Sequence, residues 1–198
     1  MRHQLLREGI LDVESVIITH THADHIMGLD DIRAFCLKYQ KPIPVYASPE
    51  SQADIERIFP YAFAESRPGI WVPRLEFREI RPQLAVAGLT IHTFFVDHGS
   101  LPCLAFRVND VAYLTDVSHI PEGVMPALRG LKTLVLDAVR FRPHPNHFHF
   151  EKALEVAEEI GAETTYLTHL SDDYHHPVTE ATLPKGIKLA FDGLNIQL

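Results

Sequence analysis

The run Thr19-His20-Thr21-His22-Ala23-Asp24-His25 sets three imidazoles and a carboxylate directly after the apolar stretch Val16-Ile17-Ile18. Such a stretch predicts a buried strand, so the polar cluster leaves the end of a sheet and enters a loop. In extended backbone alternate side chains share a face, which points His20 and His22 at one common place. Asp24 and His25 follow after that period breaks and can turn toward a second place. Imidazoles and a carboxylate packed together repel or go unsatisfied unless a cation joins them. Their chemistry suits zinc, manganese or iron better than calcium or magnesium. The run is therefore nearly a complete ligand set for two adjacent metal ions, and the fold must deliver the rest.

A chain of 198 residues predicts one domain, 1–198, with room for a real core. Its 46% hydrophobic and 22% charged residues are ordinary for a globular protein. No apolar run is long enough to cross a bilayer and no signal-peptide pattern opens the chain, so a cytoplasmic setting without membrane contact is expected. Two cysteines, Cys36 and Cys103, indicate no disulfide framework and read as small buried hydrophobes. The net charge of −8, with no Lys/Arg cluster, disfavours nucleic acid as a partner, because phosphate contacts carry most of that affinity. Bound metal ions would still attract a small phosphate ester locally. A homodimer is compatible with the chain.

Along the chain, residues 1–8 read as the tail of a helix stopped by Gly9. A helix is expected over 31–38, a strand over 42–47, and a helix from Ser48 through Phe59 with Pro49 at its first position. Residues 60–73 read as an irregular loop able to overhang a site. Strands are predicted over 75–80, 89–96, 103–108 and 111–114, the last two joined by a tight hairpin at Asn109-Asp110. A strand over 133–136, a helix over 150–160, and strands over 165–167 and 188–191 complete a layered α/β pattern. Several strands end in a potential ligand: His98 after Val96-Asp97, Asp116 after Leu114-Thr115, and His169 after Leu167-Thr168. Such ends converge along one sheet edge, where clefts form.

This order of motifs resembles the metallo-β-lactamase superfamily of hydrolases. The pieces that carry the resemblance are the run from Thr19 to His25, then Asp97-His98-Gly99, Thr115-Asp116 and Thr168-His169. The stretches 24–33, Val135-Leu136-Asp137-Ala138, Pro145-Asn146-His147 and Leu167-Thr168-His169-Leu170-Ser171 look like the branch of phosphoribosyl 1,2-cyclic phosphate phosphodiesterases. The resemblance implies a four-layer αββα sandwich, here lacking its first N-terminal strands. It implies one divalent ion on His20, His22 and His98 and a second on Asp24, His25 and His169, with Asp116 bridging both. Zinc or manganese is implied, with iron admissible. A hydroxide held between the ions would attack phosphorus. His147 would contact the phosphate or protonate the leaving group.

Other polar residues carry open readings. His144 and His149 read as structural, and His175 and His176 as solvent-facing. Asp137 could orient a ligand histidine or cap a turn. Asp30 and Asp31 could support the site, but capping the following helix accounts for at least one of them. Arg33 reads as a solvated helix position. The expected function is metal-dependent hydrolysis of a small, often cyclic, phosphate ester. An RNA 3′-end endonuclease shares the motif set but calls for a basic extension. A non-catalytic metal-binding fragment is the alternative from another class, and a β-lactamase proper fits the second-site ligands poorly.

Overall fold

The structure, a computed structural model, describes residues 1–64 and 71–197. These group into two units, 1–81 with 86–88, and 82–85 with 89–198.

In the first unit helix α1 (Arg2–Arg7) ends at Gly9, whose φ of 65° is the left-handed stop that glycine accepts readily. Strand β1 (Val16–Ile17) is followed by α2 (Ala23–Ile26), a 3-10 turn at Leu29–Ile32 and α3 (Arg33–Tyr39). Next come β2 (Ile43–Ala47), α4 (Pro49–Ile58) and β3 (Leu75–Glu79). The three strands form a parallel sheet in the order β1-β2-β3, with Val16 paired to Val45 and Ile43 to Leu75. Ser48 caps α4 as its sequence predicts, its Oγ accepting from the Ser51 N–H at 3.2 Å. Ile18, Ile26, Ile32, Val45 and Ile55 close the core of this unit.

The second unit is built on a larger sheet. It comprises β4 (Gln83–Val86), β5 (Leu89–His98), β6 (Leu101–Val108), β7 (Val111–Leu114), β8 (Thr133–Asp137), β9 (Thr164–Thr168) and β10 (Ile187–Leu189). Their order is β10-β9-β8-β7-β6-β5-β4. β5, β6 and β7 pair antiparallel, while β7 through β10 run parallel. Two reversals leave β5 pointing the same way as β7, β8 and β9. The hairpin expected at Asn109-Asp110 forms, with Asn109 at φ 52° as a tight turn demands. Helix α5 (Phe150–Ile160) buries Ala153, Val156, Ala157 and Ile160, a single stripe at helical spacing, and stops at Gly161 with φ 71°. A short α6 (His176–Glu180) follows β9.

Several expectations shift. β1 stops at Ile17 rather than Ile18, and the final strand lies at Ile187–Leu189 rather than 188–191. β4 and α6 were not anticipated. Of the loop expected over 60–73, Pro60–Ala62 is a 3-10 turn and 65–70 lie outside the described residues. Asp30 and Asp31 do not cap: Ile32 is the N-cap of α3 and Gly28 that of the 3-10 turn, neither with a side-chain cap bond. Instead Asp31 accepts from the Arg2 backbone N–H at 2.8 Å and pairs with its guanidinium at 2.9 Å, tethering α1. Asp30 accepts from the Tyr61 hydroxyl at 3.0 Å. Both cysteines are buried thiols, as expected.

Leu134 is fully buried in β8 whereas Leu11 is 68% exposed. Leu134→Ala should lower the urea-unfolding free energy by about 2–5 kcal/mol. Leu11→Ala should stay within about 0.5 kcal/mol of wild type. Similar losses at both positions would contradict this placement of the core.

Candidate metal centre

The ligand run does not continue as a strand beyond β1. The His22 backbone is extended (φ −62°, ψ 151°) and its carbonyl accepts from the N–H groups of His25 and Ile26 at 3.0 and 3.2 Å. A one-turn helix thus starts at Ala23, anchored by buried Ile26. This corrects the expectation of a ligand-bearing loop, and the correction helps the site, because a helical turn brings His25 back over His20. Their ring centroids are 4.2 Å apart, and those of His20 and His22 are 4.5 Å apart. His25 Nε2 and Asp24 Oδ2 face each other at 3.3 Å. Thr21, inside the run, donates to Asp54 Oδ2 at 2.8 Å and ties the turn to α4. The sequence offered no signal for that tie.

The second unit positions its chemistry at strand ends. His98 is the last residue of β5 and Asp137 the last of β8, while Asp116 and His169 follow β7 and β9. Registers Leu114↔Leu136 and Asp137↔Thr168 set the last three ends side by side. Asp116 (φ 54°) and His169 (φ 58°) both adopt left-handed backbone. For residues other than glycine that conformation costs roughly 1–2 kcal/mol. It bends each side chain out of its strand direction at the sheet edge.

Asp116 is 1% exposed, and Thr115 Oγ1 donates to its Oδ1 at 2.8 Å. Its two oxygens face different histidines: Oδ1 lies 3.6 Å from His169 Nε2, and Oδ2 lies 3.8 Å from His98 Nε2. His98 Nδ1 lies 2.7 Å from the Asn146 carbonyl, which only accepts, so the proton sits on Nδ1 and the lone pair on Nε2. A lone pair and a carboxylate oxygen facing each other is the arrangement a cation reconciles. Donor atoms around a tetrahedral zinc with bonds near 2.1 Å stand about 3.3–3.5 Å apart. The separations of 3.6 and 3.8 Å around Asp116 are close to that spacing, so the donors of this unit fit a divalent ion, and the 3.3 Å pair of Asp24 and His25 has the same spacing within the first unit.

Asp137 is fully buried. Its Oδ2 accepts from the Val117 N–H at 3.0 Å and from His147 Nδ1 at 2.8 Å, and its Oδ1 stands 3.7 Å from His169 Nδ1. Burial pushes its pKa up, and the His147 hydrogen bond opposes that rise. Of the two readings open for Asp137, neither holds as stated: its hydrogen-bonded histidine is His147 rather than the candidate ligand His169, and it also accepts from the Val117 backbone. His147 stacks on His169, with centroids 5.0 Å apart and planes 10° apart, and meets His98 edge-on at 4.5 Å. One atom each from Asp116, His147 and His169 lie within 4.8 Å of one another. His144 Nδ1 accepts from the Asn146 N–H at 3.1 Å, and burial followed by neighbouring His147 lowers its pKa. His149 and His175 occupy helix N-cap positions without a side-chain cap bond.

The model of the beta-lactamase superfamily domain matches residues 1–170. The chain belongs to that family. A crystallised diphosphatase of the PhnP family is 36% identical, with a TM-score of 0.90, over 100% of this chain and 76% of that one. Family and neighbour together place the chain among the metallo-β-lactamase-fold hydrolases, in their PhnP-like branch. Its mixed α/β build with two sheets agrees with that sandwich fold. Among sequence relatives, an octanoyltransferase of Porphyromonas gingivalis (strain ATCC BAA-308 / W83) is 33% identical over 199 residues, which is 98% of this chain. The chain spans only 39% of that relative's length. The short form of human tRNase Z is 18% identical with a TM-score of 0.69, covering 99% of this chain and 84% of that one, a likeness of fold.

That last likeness removes the support for excluding nucleic acid. A fold shared with a tRNase is not reserved for small esters, and net charge alone does not divide the two. No described helix is long and apolar enough to cross a membrane. The sequence reading missed two more supports of the family site, Asn146 and Ser118. Ser118 Oγ accepts from the Gly99 N–H at 2.9 Å, and Asn146 supplies the carbonyl that orients His98. Gly99 has φ 62°, and a Cβ built on it would fall 2.3 Å from Asn146 Oδ1. Gly88 has φ 77° with open space around it. Gly99→Ala should therefore cost up to about 1 kcal/mol more than Gly88→Ala in urea unfolding, since both share the left-handed strain and only at Gly99 must the exposed Asn146 side chain turn aside. Equal costs would show that the turn beside His98 yields freely.

Proposed function

We propose that the chain is a phosphodiesterase with two divalent ions, acting on a small, often cyclic, phosphate ester. The observation that carries this reading is the buried Asp116 carboxylate, whose two oxygens face two different histidines. The proposed ligands are His20, His22 and His98 for one ion and Asp24, His25 and His169 for the other, with Asp116 shared. The family model runs over residues 1–170, through the first unit and into the second, which supports reading the chain as one domain. The donor set accepts zinc or manganese, and iron is admissible. When bound, such ions polarise phosphoryl oxygens and lower the pKa of water.

The chain's own residues supply the rest. Asp116 and the histidines set the position of the ester phosphorus, and the Asp137 carboxylate holds His147 by Nδ1. That bond keeps one ring proton on Nδ1 and leaves Nε2, on the far side of the ring, for the reacting groups. As the water oxygen bonds to phosphorus and the P–O bond to the leaving alkoxide breaks, the water gives up one proton and the alkoxide takes one up by way of His147 Nε2, so the ring ends in the protonation state in which it began. The diphosphatase name of the PhnP-family neighbour supports a small phosphoric substrate. A cytoplasmic setting completes the proposal.

Protein purified without chelator should carry close to two equivalents of zinc or manganese and hydrolyse a ribose cyclic phosphate or bis(p-nitrophenyl) phosphate. Asp116→Ala should lower kcat/KM by roughly 10³-fold or more, the several kcal/mol assigned to ion-stabilised transition states. Asp137→Asn should cost about 10–100-fold, as removal of a histidine's orienting partner does, with the metal retained. Full activity after complete metal removal would end the proposal. Cleavage of a tRNA precursor without turnover of any small ester would replace it with the RNA endonuclease reading.

A further inference from the structure

The histidines of the second unit are held in opposite senses. His98 and His147 each meet an acceptor at Nδ1, the Asn146 carbonyl and the Asp137 carboxylate, so each keeps a proton there. His144 meets a donor at Nδ1, the Asn146 backbone N–H, so its neutral ring carries the lone pair on Nδ1 and the proton on Nε2. One residue, Asn146, thereby sets both tautomers: its carbonyl makes His98 a ligand through Nε2, and its N–H makes His144 a donor through Nε2.

The segment that carries His144 is held firmly. Arg140 donates to the carbonyls of Arg142 and Pro143 at 3.1 and 2.7 Å. The Phe148 N–H donates to the Val117 carbonyl at 2.6 Å, and the Val139 N–H to the Phe148 carbonyl at 3.0 Å. The half-buried His144 ring packs edge-on against His147, with centroids 4.8 Å apart. A donor with a set tautomer on a braced segment, beside a histidine assigned to the leaving group, is a preorganised contact for an anion.

We propose that His144 is a substrate-contact residue, its Nε2–H donating a hydrogen bond to a non-bridging oxygen of a phosphodiester. This rests on the phosphodiesterase reading above and extends it, since His144 reads as structural from sequence.

The test uses the metal-loaded protein and its His144→Ala and His144→Gln variants, with bis(p-nitrophenyl) phosphate as substrate and dimethyl phosphate as a non-reacting probe. Loss of one hydrogen bond to a charged group should raise KM by about tenfold or more in His144→Ala, with kcat changed far less and metal content unaltered. His144→Gln, which keeps an N–H donor, should recover most of the loss. Side-chain ¹⁵N NMR should show His144 protonated at Nε2, with that signal moving on addition of dimethyl phosphate. Unchanged KM in His144→Ala, metal lost with the ring, or a proton found on Nδ1 would each overturn the assignment. A wild-type protein that hydrolyses no diester overturns the parent reading and this one with it. Turnover that His144→Ala leaves untouched overturns this one alone.

Discussion

The site depends on burying one carboxylate. Asp116 sits 1% exposed on left-handed backbone, in a place where a negative charge is costly unless positive charge answers it. Thr115 Oγ1 donates a hydrogen bond to its Oδ1. His98, protonated at Nδ1 against the Asn146 carbonyl, turns its Nε2 lone pair toward Asp116 Oδ2, and His169 Nε2 faces Asp116 Oδ1. A structure that spends backbone strain and burial on such an arrangement makes sense only around cations.

The sheet makes that arrangement possible. Because β6 reverses between β5 and β7, the C-terminal ends of β5, β7, β8 and β9 lie on one edge. Each end carries one functional group: His98, Asp116, Asp137 and His169. Behind them the support is mostly backbone or fully buried carboxylate. The Asn146 carbonyl orients His98, and Asp137 orients His147 while standing near His169. Precision at the edge comes from groups that cannot themselves wander.

Much of this was legible in the sequence, and the failures have physical causes. The helix expected over 150–160 coincides with α5, and Ser48-Pro49 placed the start of α4. The Thr19–His25 run and the histidines and aspartates at the strand ends were visible because residue type alone announces them. β4 was missed because four residues without marked alternation become a strand only through their neighbour β5. The turn at α2 was missed because ligand residues carry weak helix propensity, and buried Ile26 decides the matter by packing. Left-handed backbone at Asp116 and His169 has no sequence signature when glycine is absent. Nor do tautomers, which follow from the partner each ring nitrogen meets, as the opposite roles of Asn146 toward His98 and His144 show.

The central claim is that Asp116 is shared between two cations. Anomalous diffraction from crystals of the zinc- or manganese-loaded protein tests it most directly. The account predicts two peaks about 3.5–4 Å apart, the spacing of two-metal hydrolytic sites, with Asp116 Oδ1 on one and Oδ2 on the other. A single peak, or two peaks with both Asp116 oxygens on the same ion or on neither, would contradict it.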